Sequence, residues 1–207
     1  MMSRYDRDGG IRRLWPADIA LFRDHLLRLD AAGRHDRFHG GINDASLALY
    51  AARALSGGTI IFAWVESGRV LGVSEMHIAS ANEAAECAFS VEPNLRRKGL
   101  GTALFARVIE EARDRHIKQV RVSCMAANMP MRALSRKFGA KFTFEGGEAV
   151  GTIDVTQMAS PPLATEMFED AFRMTARMAR FAADPFGIWL PKRRRRKPAE
   201  PERVKAL

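Results

Sequence analysis

"NLRRKGLGTALFARVIEEAR", Asn94–Arg113, places three consecutive basic residues and two glycines directly ahead of an amphipathic run. Leu104, Phe105, Val108, Ile109 and Ala112 recur on one face at helical spacing, with Arg107, Glu110, Glu111 and Asp114 opposite, which predicts a helix. A helix start leaves backbone N–H groups unpaired and carries roughly half a positive charge from its aligned peptide dipoles. Gly99 and Gly101 remove side chains that would keep an anion from those N–H groups. Arg96, Arg97 and Lys98 raise the local potential. A P-loop would need GxxxxGK[ST] and a dinucleotide fingerprint a third glycine; neither pattern is present. Two readings therefore stand at this point: a phosphate cradle, or a tight turn with a solvated basic face.

Outward from that stretch, the chain alternates strand and helix signals. Upstream, "AECAFSV", Ala85–Val91, reads as a strand closed by Glu92-Pro93. Before it lie a strand near Ile11, a helix carrying Ile19, Phe22, Leu26 and Leu29, and a break at the glycines of "AAGRHDRFHGG". A second helix starts at Asp44 as N-cap, followed by the hairpin "TIIFAWV"–"ESGR"–"VLGVSEMHI". Downstream, "QVRVSCM" alternates as a strand, and Asn128 caps a helix with Met131, Leu134 and Phe138 on its buried side, ended by Gly139. Two further strands, "AKFTF" and "EAVGTIDV", follow. The order predicts an α/β (α+β) fold, a central sheet with helices on both faces.

The 207 residues are near the size of one domain, 47% are hydrophobic, and no apolar stretch reaches the roughly 18 residues that span a bilayer. "MMSRYDRDGG" has no apolar segment behind its charges, and the only cysteines, Cys87 and Cys124, lie outside any CxxC or Cys/His cluster. A cytoplasmic setting without metal or disulfide is the expectation. Of the net charge of +9, +5 falls in residues 184–207, much of it in "KRRRRK", Lys192–Lys197. The domain proper is thus only mildly basic. The expected units are 11–158, a folded domain; 159–183, an amphipathic helix packing on the domain or on a second subunit of a homodimer; and 184–207, a disordered basic tail. Six adjacent cations would bind polyanions in a salt-dependent way, but no aromatic residues are interleaved for base stacking.

"VEPNLRRKGLGTALF" resembles the acyl-coenzyme A-binding motif of the GNAT superfamily of N-acetyltransferases, [Q/R]-x-x-G-x-[G/A], through Arg96, Gly99 and Gly101. "NMPMRALSRKFGAKF" is similar to the family's N-x-x-A-x-x-L-Y-x-K-x-G-F segment through Asn128, Leu134, Lys137 and Gly139. The element order agrees from about Ile11 to Val155. A looser likeness, in "HLLRLDAAGRHDRFHG", is to bacterial protein-lysine acetyltransferase-type GNAT domains. The resemblance implies a mixed, mostly antiparallel sheet splayed between its fourth and fifth strands. It implies acetyl-CoA as co-substrate, with backbone N–H groups of Arg97, Gly99, Gly101 and Thr102 on the pyrophosphate and Arg96 opening the motif. It also implies a bulge in the strand before the loop, with Phe89 and Val91 along the pantetheine arm and Asn128 touching it. An N–H at or near Val91 would face the thioester carbonyl.

The implied reaction is direct attack of a primary amine on the thioester. An alkylammonium has a pKa near 10.4, so a base must first take a proton. Glu86, where related enzymes often carry a glutamate acting through water, is the first candidate. Strand alternation puts it beside Ala88 and Ser90, an apolar setting that would raise its pKa. Glu75 is the second, with His77 and His25 more often structural in such places. Ser135 stands where the family has a tyrosine acting as general acid; Ser135, Cys124 or water would have to substitute. That departure keeps a non-catalytic acyl-CoA-binding regulator as an alternative, beside a nucleic-acid-associated protein acting through its tail. The acceptor, a small molecule or a protein lysine, is expected in a groove rimmed by a mobile "GRHDRFHGG", the hairpin and the late strands.

Overall fold

The computed structural model describes residues 9–78, 84–157 and Phe172. Seven strands form one sheet: β1 (Gly10–Arg13), β2 (Ile60–Glu66), β3 (Arg69–His77), β4 (Ala85–Val91), β5 (Gln119–Met125), β6 (Lys141–Glu145) and β7 (Glu148–Asp154). Their spatial order is β1-β2-β3-β4-β5-β7-β6, and every neighbouring pair is antiparallel except β4 and β5. Strand β2 is buried along nearly its whole length, which is why it reads as a continuous apolar run instead of an alternation.

Helices cover both faces. On one, α1 (Ile19–Leu27) and α3 (Asp44–Ser56) pack Phe22, Leu26, Leu47 and Leu55 against Ile61, Ala63, Val65 and Val73. On the other, α4 (Leu100–Asp114) lays Phe105, Val108, Ile109 and Ala112 on Phe62, Met76, Val120, Val122 and Ile153. Each side chain of this kind contributes about 1.5–3 kcal/mol when fully buried, so the two layers hold the sheet from both sides. α5 (Met129–Lys137) closes against α4 through Phe138, which stacks on Phe105 at 4.4 Å between centroids. Trp64 is wholly buried and meets Phe172 edge-on at 4.6 Å. Apart from Phe172, the segments expected at 159–183 and 184–207 lie outside the described residues.

Four expectations need correction. The glycine-rich stretch does not break the chain: Ala31–Phe38 is a helix, α2, with Asp30 as N-cap accepting from Gly33 N–H at 2.8 Å. Tertiary context overrides propensity there, because a Cβ on Gly33 would come within 2.4 Å of Arg96 Nη2. The cap of α3 is Asn43, whose side chain accepts from Ser46 N–H, and not Asp44, which is the first helical residue and pairs with Arg34. Glu111, expected in solvent, is largely covered and is bonded by Arg107 and Arg115. Finally, the β3–β4 register runs unbroken from Gly72↔Val91 to His77↔Glu86, so no bulge falls in β4; the register shift lies in β2–β3 at Trp64/Val65.

Candidate active site

Strands β4 and β5 pair only at Ala85↔Val120 and Glu86↔Arg121, then part. The gap continues as a cleft of about 950 Å³ that runs from the start of α4 and the flank of α5, between the two strands, to α2. In an antiparallel ladder, alternate residues direct both backbone groups to the neighbour. Glu92 N–H bonds to Leu71 O, so by that alternation Ser90 and Ala88 face β3. The N–H and C=O groups of Phe89 and Val91 therefore turn to the edge that β5 has left. The Phe89 ring is anchored on Phe105 at 4.6 Å, which fixes this edge against α4.

At one end of the cleft, the glycine loop turns into α4. Arg97 has φ 62° and Gly99 φ 96°, the left-handed region that glycine enters most easily. Thr102 and Ala103 N–H both bond back to Gly99 O, at 2.9 and 3.1 Å, which winds the first turn. Gly101 serves packing: a Cβ there would lie 3.3 Å from Leu134 of α5. Arg97, Gly99, Gly101, Thr102, Asn128 and Lys137 all line this end. Arg96 does something the sequence does not announce. Its Nε donates to Val91 O at 3.0 Å and its Nη2 to Asp30 at 2.7 Å, so it ties the free strand edge to the N-cap of α2. The guanidinium holds the Asp30 carboxyl below its ordinary range, the backbone N–H of Gly33 adding to the effect. Asn128 spends its Oδ1 on Met131 N–H at 3.0 Å while remaining on the cleft wall.

The candidate acid–base groups separate sharply. Glu86 is exposed, not in an apolar setting: its register neighbours on the same face are His77 and Arg121, and it lines the cleft where the strands part. Glu75 is fully buried and committed, bonded by Arg37 Nη2 at 2.7 Å and by the Tyr50 hydroxyl at 2.5 Å. Burial and the Glu75 charge push the Tyr50 phenol up, and the same charge raises Arg37 despite its desolvation. Both lone-pair sets of Glu75 are thus occupied internally, which argues against it as a base. Ser135 is also fully buried and donates to Met131 O at 3.0 Å, the carbonyl one turn back. It does not line the cleft, so its placement speaks against an acid role. Cys124 does line the cleft, but burial pushes its thiol up.

Sequence reasoning missed two clusters. Arg37, expected in a mobile rim, is the helical partner of Glu75 across 38 positions, and no local pattern signals that pairing. Ser90, on the cleft, has its hydroxyl 2.9 Å from His25 Nε2, and His25 Nδ1 lies 3.8 Å from Glu92 Oε1. Glu92 also accepts from Arg28 at 2.7 Å. Burial would raise the Glu92 carboxyl, but the His25 ring and the Arg28 guanidinium more than offset it, so its pKa falls. Among the described residues, no group of three or more His, Cys, Asp or Glu could hold a metal ion, and no helix is long and apolar enough to cross a membrane.

A sequence model described as "Acetyltransferase (GNAT) family" matches residues 31–140. Among solved structures, the chain is similar to the GNAT domain of S. lividans PAT, at 18% identity and TM-score 0.60, over 70% of this chain and 89% of that one. It is similar to yncA, a putative acetyltransferase from Salmonella typhimurium described with its cofactor acetyl-CoA, at 21% identity and TM-score 0.54, over 75% and 98%. The ribosomal-protein-S18-alanine N-acetyltransferase of Escherichia coli matches at 17% identity and TM-score 0.55, over 73% and 96%. At these identities the likeness is one of fold.

Proposed function

The chain belongs to the GNAT acetyltransferase family, and from that premise we propose that residues 11–158 move an acetyl group from acetyl-CoA to a primary amine by direct attack. The observation that carries the reading is the splay. It exposes the backbone edge of Phe89 and Val91 beside a glycine-loop helix start, within one continuous cleft.

In this reading the N–H groups of the loop at Arg97, Gly99 and Gly101 receive the pyrophosphate, with Thr102 at the same turn and Arg97 and Lys137 supplying charge. Arg96 acts as a brace for Val91 instead of as a phosphate ligand. The pantetheine arm lies along the β4 edge, with Asn128 opposite. Val91 N–H, turned into the gap, is directed to the side on which negative charge would develop on the carbonyl oxygen. The ammonium loses a proton to Glu86, directly or through water. Its nitrogen then bonds to the acyl carbon, and the C–S bond breaks with its electron pair on sulfur. The nitrogen sheds its second proton as the amide forms, and the thiolate takes up a proton. A thiol pKa near 8.5 makes that departure feasible without a dedicated acid, which suits a chain whose Ser135 is turned away.

Calorimetry with acetyl-CoA, followed by thiol release across a panel of amines, tests this. Micromolar binding and amine-dependent thiol release are expected. Absence of binding at millimolar acetyl-CoA would sink the proposal, and binding without release for any amine would favour a regulator.

A further inference from the structure

A second depression, of about 770 Å³, opens on the same face of the sheet as Ala88 and Ser90 but at the opposite end of β4. Its floor follows one line of the strand register. His77 of β3 opposes Glu86 of β4, and Glu86 stands beside Arg121 of β5. Register partners share a face, so three ionisable side chains from three adjacent strands stand in a row, roughly 5 Å apart at ordinary strand spacing. Gln119, Ser123 and Thr59 complete the polar lining.

The three are not equivalent. His77 is committed, with Nδ1 3.0 Å from Thr59 Oγ1 and Nε2 3.9 Å from Glu75. Glu86 and Arg121 carry opposite charges on neighbouring positions, yet they close no ion pair. Among the described residues, neither side chain makes a hydrogen bond or ion pair. Both are exposed, and both face the basin. Glu86 alone of the pair also lines the cofactor cleft. The two charges are therefore left open side by side, with the negative one at the doorway to the reaction.

We infer that this basin is the acceptor site and that it selects a free amino acid, a small primary amine carrying its own carboxylate a few ångströms away. The ammonium goes to Glu86 and the carboxylate to the planar fork of Arg121, which suits a carboxylate through two parallel N–H donors. A lysine of a protein brings only the ammonium and leaves Arg121 without a partner, so the split pair favours the zwitterion. This inference rests on the reading of Glu86 as the group that receives the amine.

The test separates the two. The protein saturated with coenzyme A is titrated by calorimetry with the protein amino acids and 3-aminopropanoate, each beside its carboxamide; acetyl transfer to the same compounds is measured in parallel. At least one acid should bind roughly 10- to 100-fold more tightly than its amide, the range expected for a lost charge-assisted contact. Arg121→Gln should erase that difference, leaving the amide and coenzyme A affinities unchanged. If no acid outperforms its amide, or Arg121→Gln weakens acid and amide alike, the inference is overturned, whatever the rate of transfer. Arg121-dependent binding without acetylation would keep the basin and remove the transferase reading. Transfer to a lysine peptide, faster than to any amino acid and indifferent to Arg121→Gln, would also overturn it.

Discussion

The two banks of the splay are made of different materials. On the α4–α5 bank, the site consists of backbone: Gly99 at φ 96°, a first turn wound onto Gly99 O, and a strand edge stripped of its neighbour. On the α2–α3 bank it consists of a covered polar network, Arg37, Glu75 and Tyr50 locked together, with Arg28, Glu92 and His25 linked between the end of α1 and the root of the loop. A site of the first kind suits an anion of fixed shape, because its donors are groups every residue owns. The second positions a helix, and its charges are consumed in doing so. Glu86, exposed on the same face of β4 as Ala88 and Ser90, takes no part in such a network among the described residues.

If that contrast is right, the largest effect of any single change should come from the charged bank. Arg37→Met leaves the fully buried Glu75 without its cation, which should cost about 3–5 kcal/mol. Urea unfolding reads this, and the double change Arg37→Met with Glu75→Gln should recover part of the loss. An unchanged unfolding midpoint in the single variant would mean that the network is not what holds α2. On the backbone bank the order reverses. Gly99→Ala forces a side chain into a left-handed position at about 1–2 kcal/mol, while acetyl-CoA affinity should fall by about tenfold or more, since each tenfold is about 1.4 kcal/mol. A variant that binds acetyl-CoA normally would show that the loop's shape is not the determinant.

Glu92 lies between the banks and reports through pH. Its folded pKa lies below the ordinary 4.5, so its contribution is present above that value and is lost as pH falls through the lower folded value. Glu92→Gln should therefore destabilise by about 1–3 kcal/mol at pH 7, with the deficit shrinking as pH drops below 4.5. A deficit that stayed constant to acid pH would assign the effect to packing. The smallest change is expected at Ser135. Among the described residues its hydroxyl serves only Met131 O, so Ser135→Ala should keep turnover within about twofold, far from the 10²–10⁴ of a general acid.

The backbone bank was legible in the sequence because its signals are local. Glycines, a basic run and a helical stripe fall within 20 residues, and Asn128 announces its own cap. All seven strands are readable for the same reason, each being a short run bounded by turns. The charged bank was not legible. Arg37 and Glu75 are 38 positions apart, and Arg96 meets Asp30 across 66. Helix α2 is hidden by Gly33, whose missing side chain makes room for an arginine from the far loop. Ser135 misleads in the opposite way, since its place in a motif says nothing of the direction in which its hydroxyl points.

Glu86, at the doorway between cleft and basin, is the proposed base. The most direct measurement is the acetyl-transfer rate of Glu86→Gln at saturating acetyl-CoA, with acetyl-CoA affinity determined on the same protein. The expected result is a rate lower by about 10²–10⁴ with affinity unchanged, because no part of the glycine loop ahead of α4 is touched. A rate within a few-fold of the wild type would contradict it and leave the amine to lose its proton elsewhere.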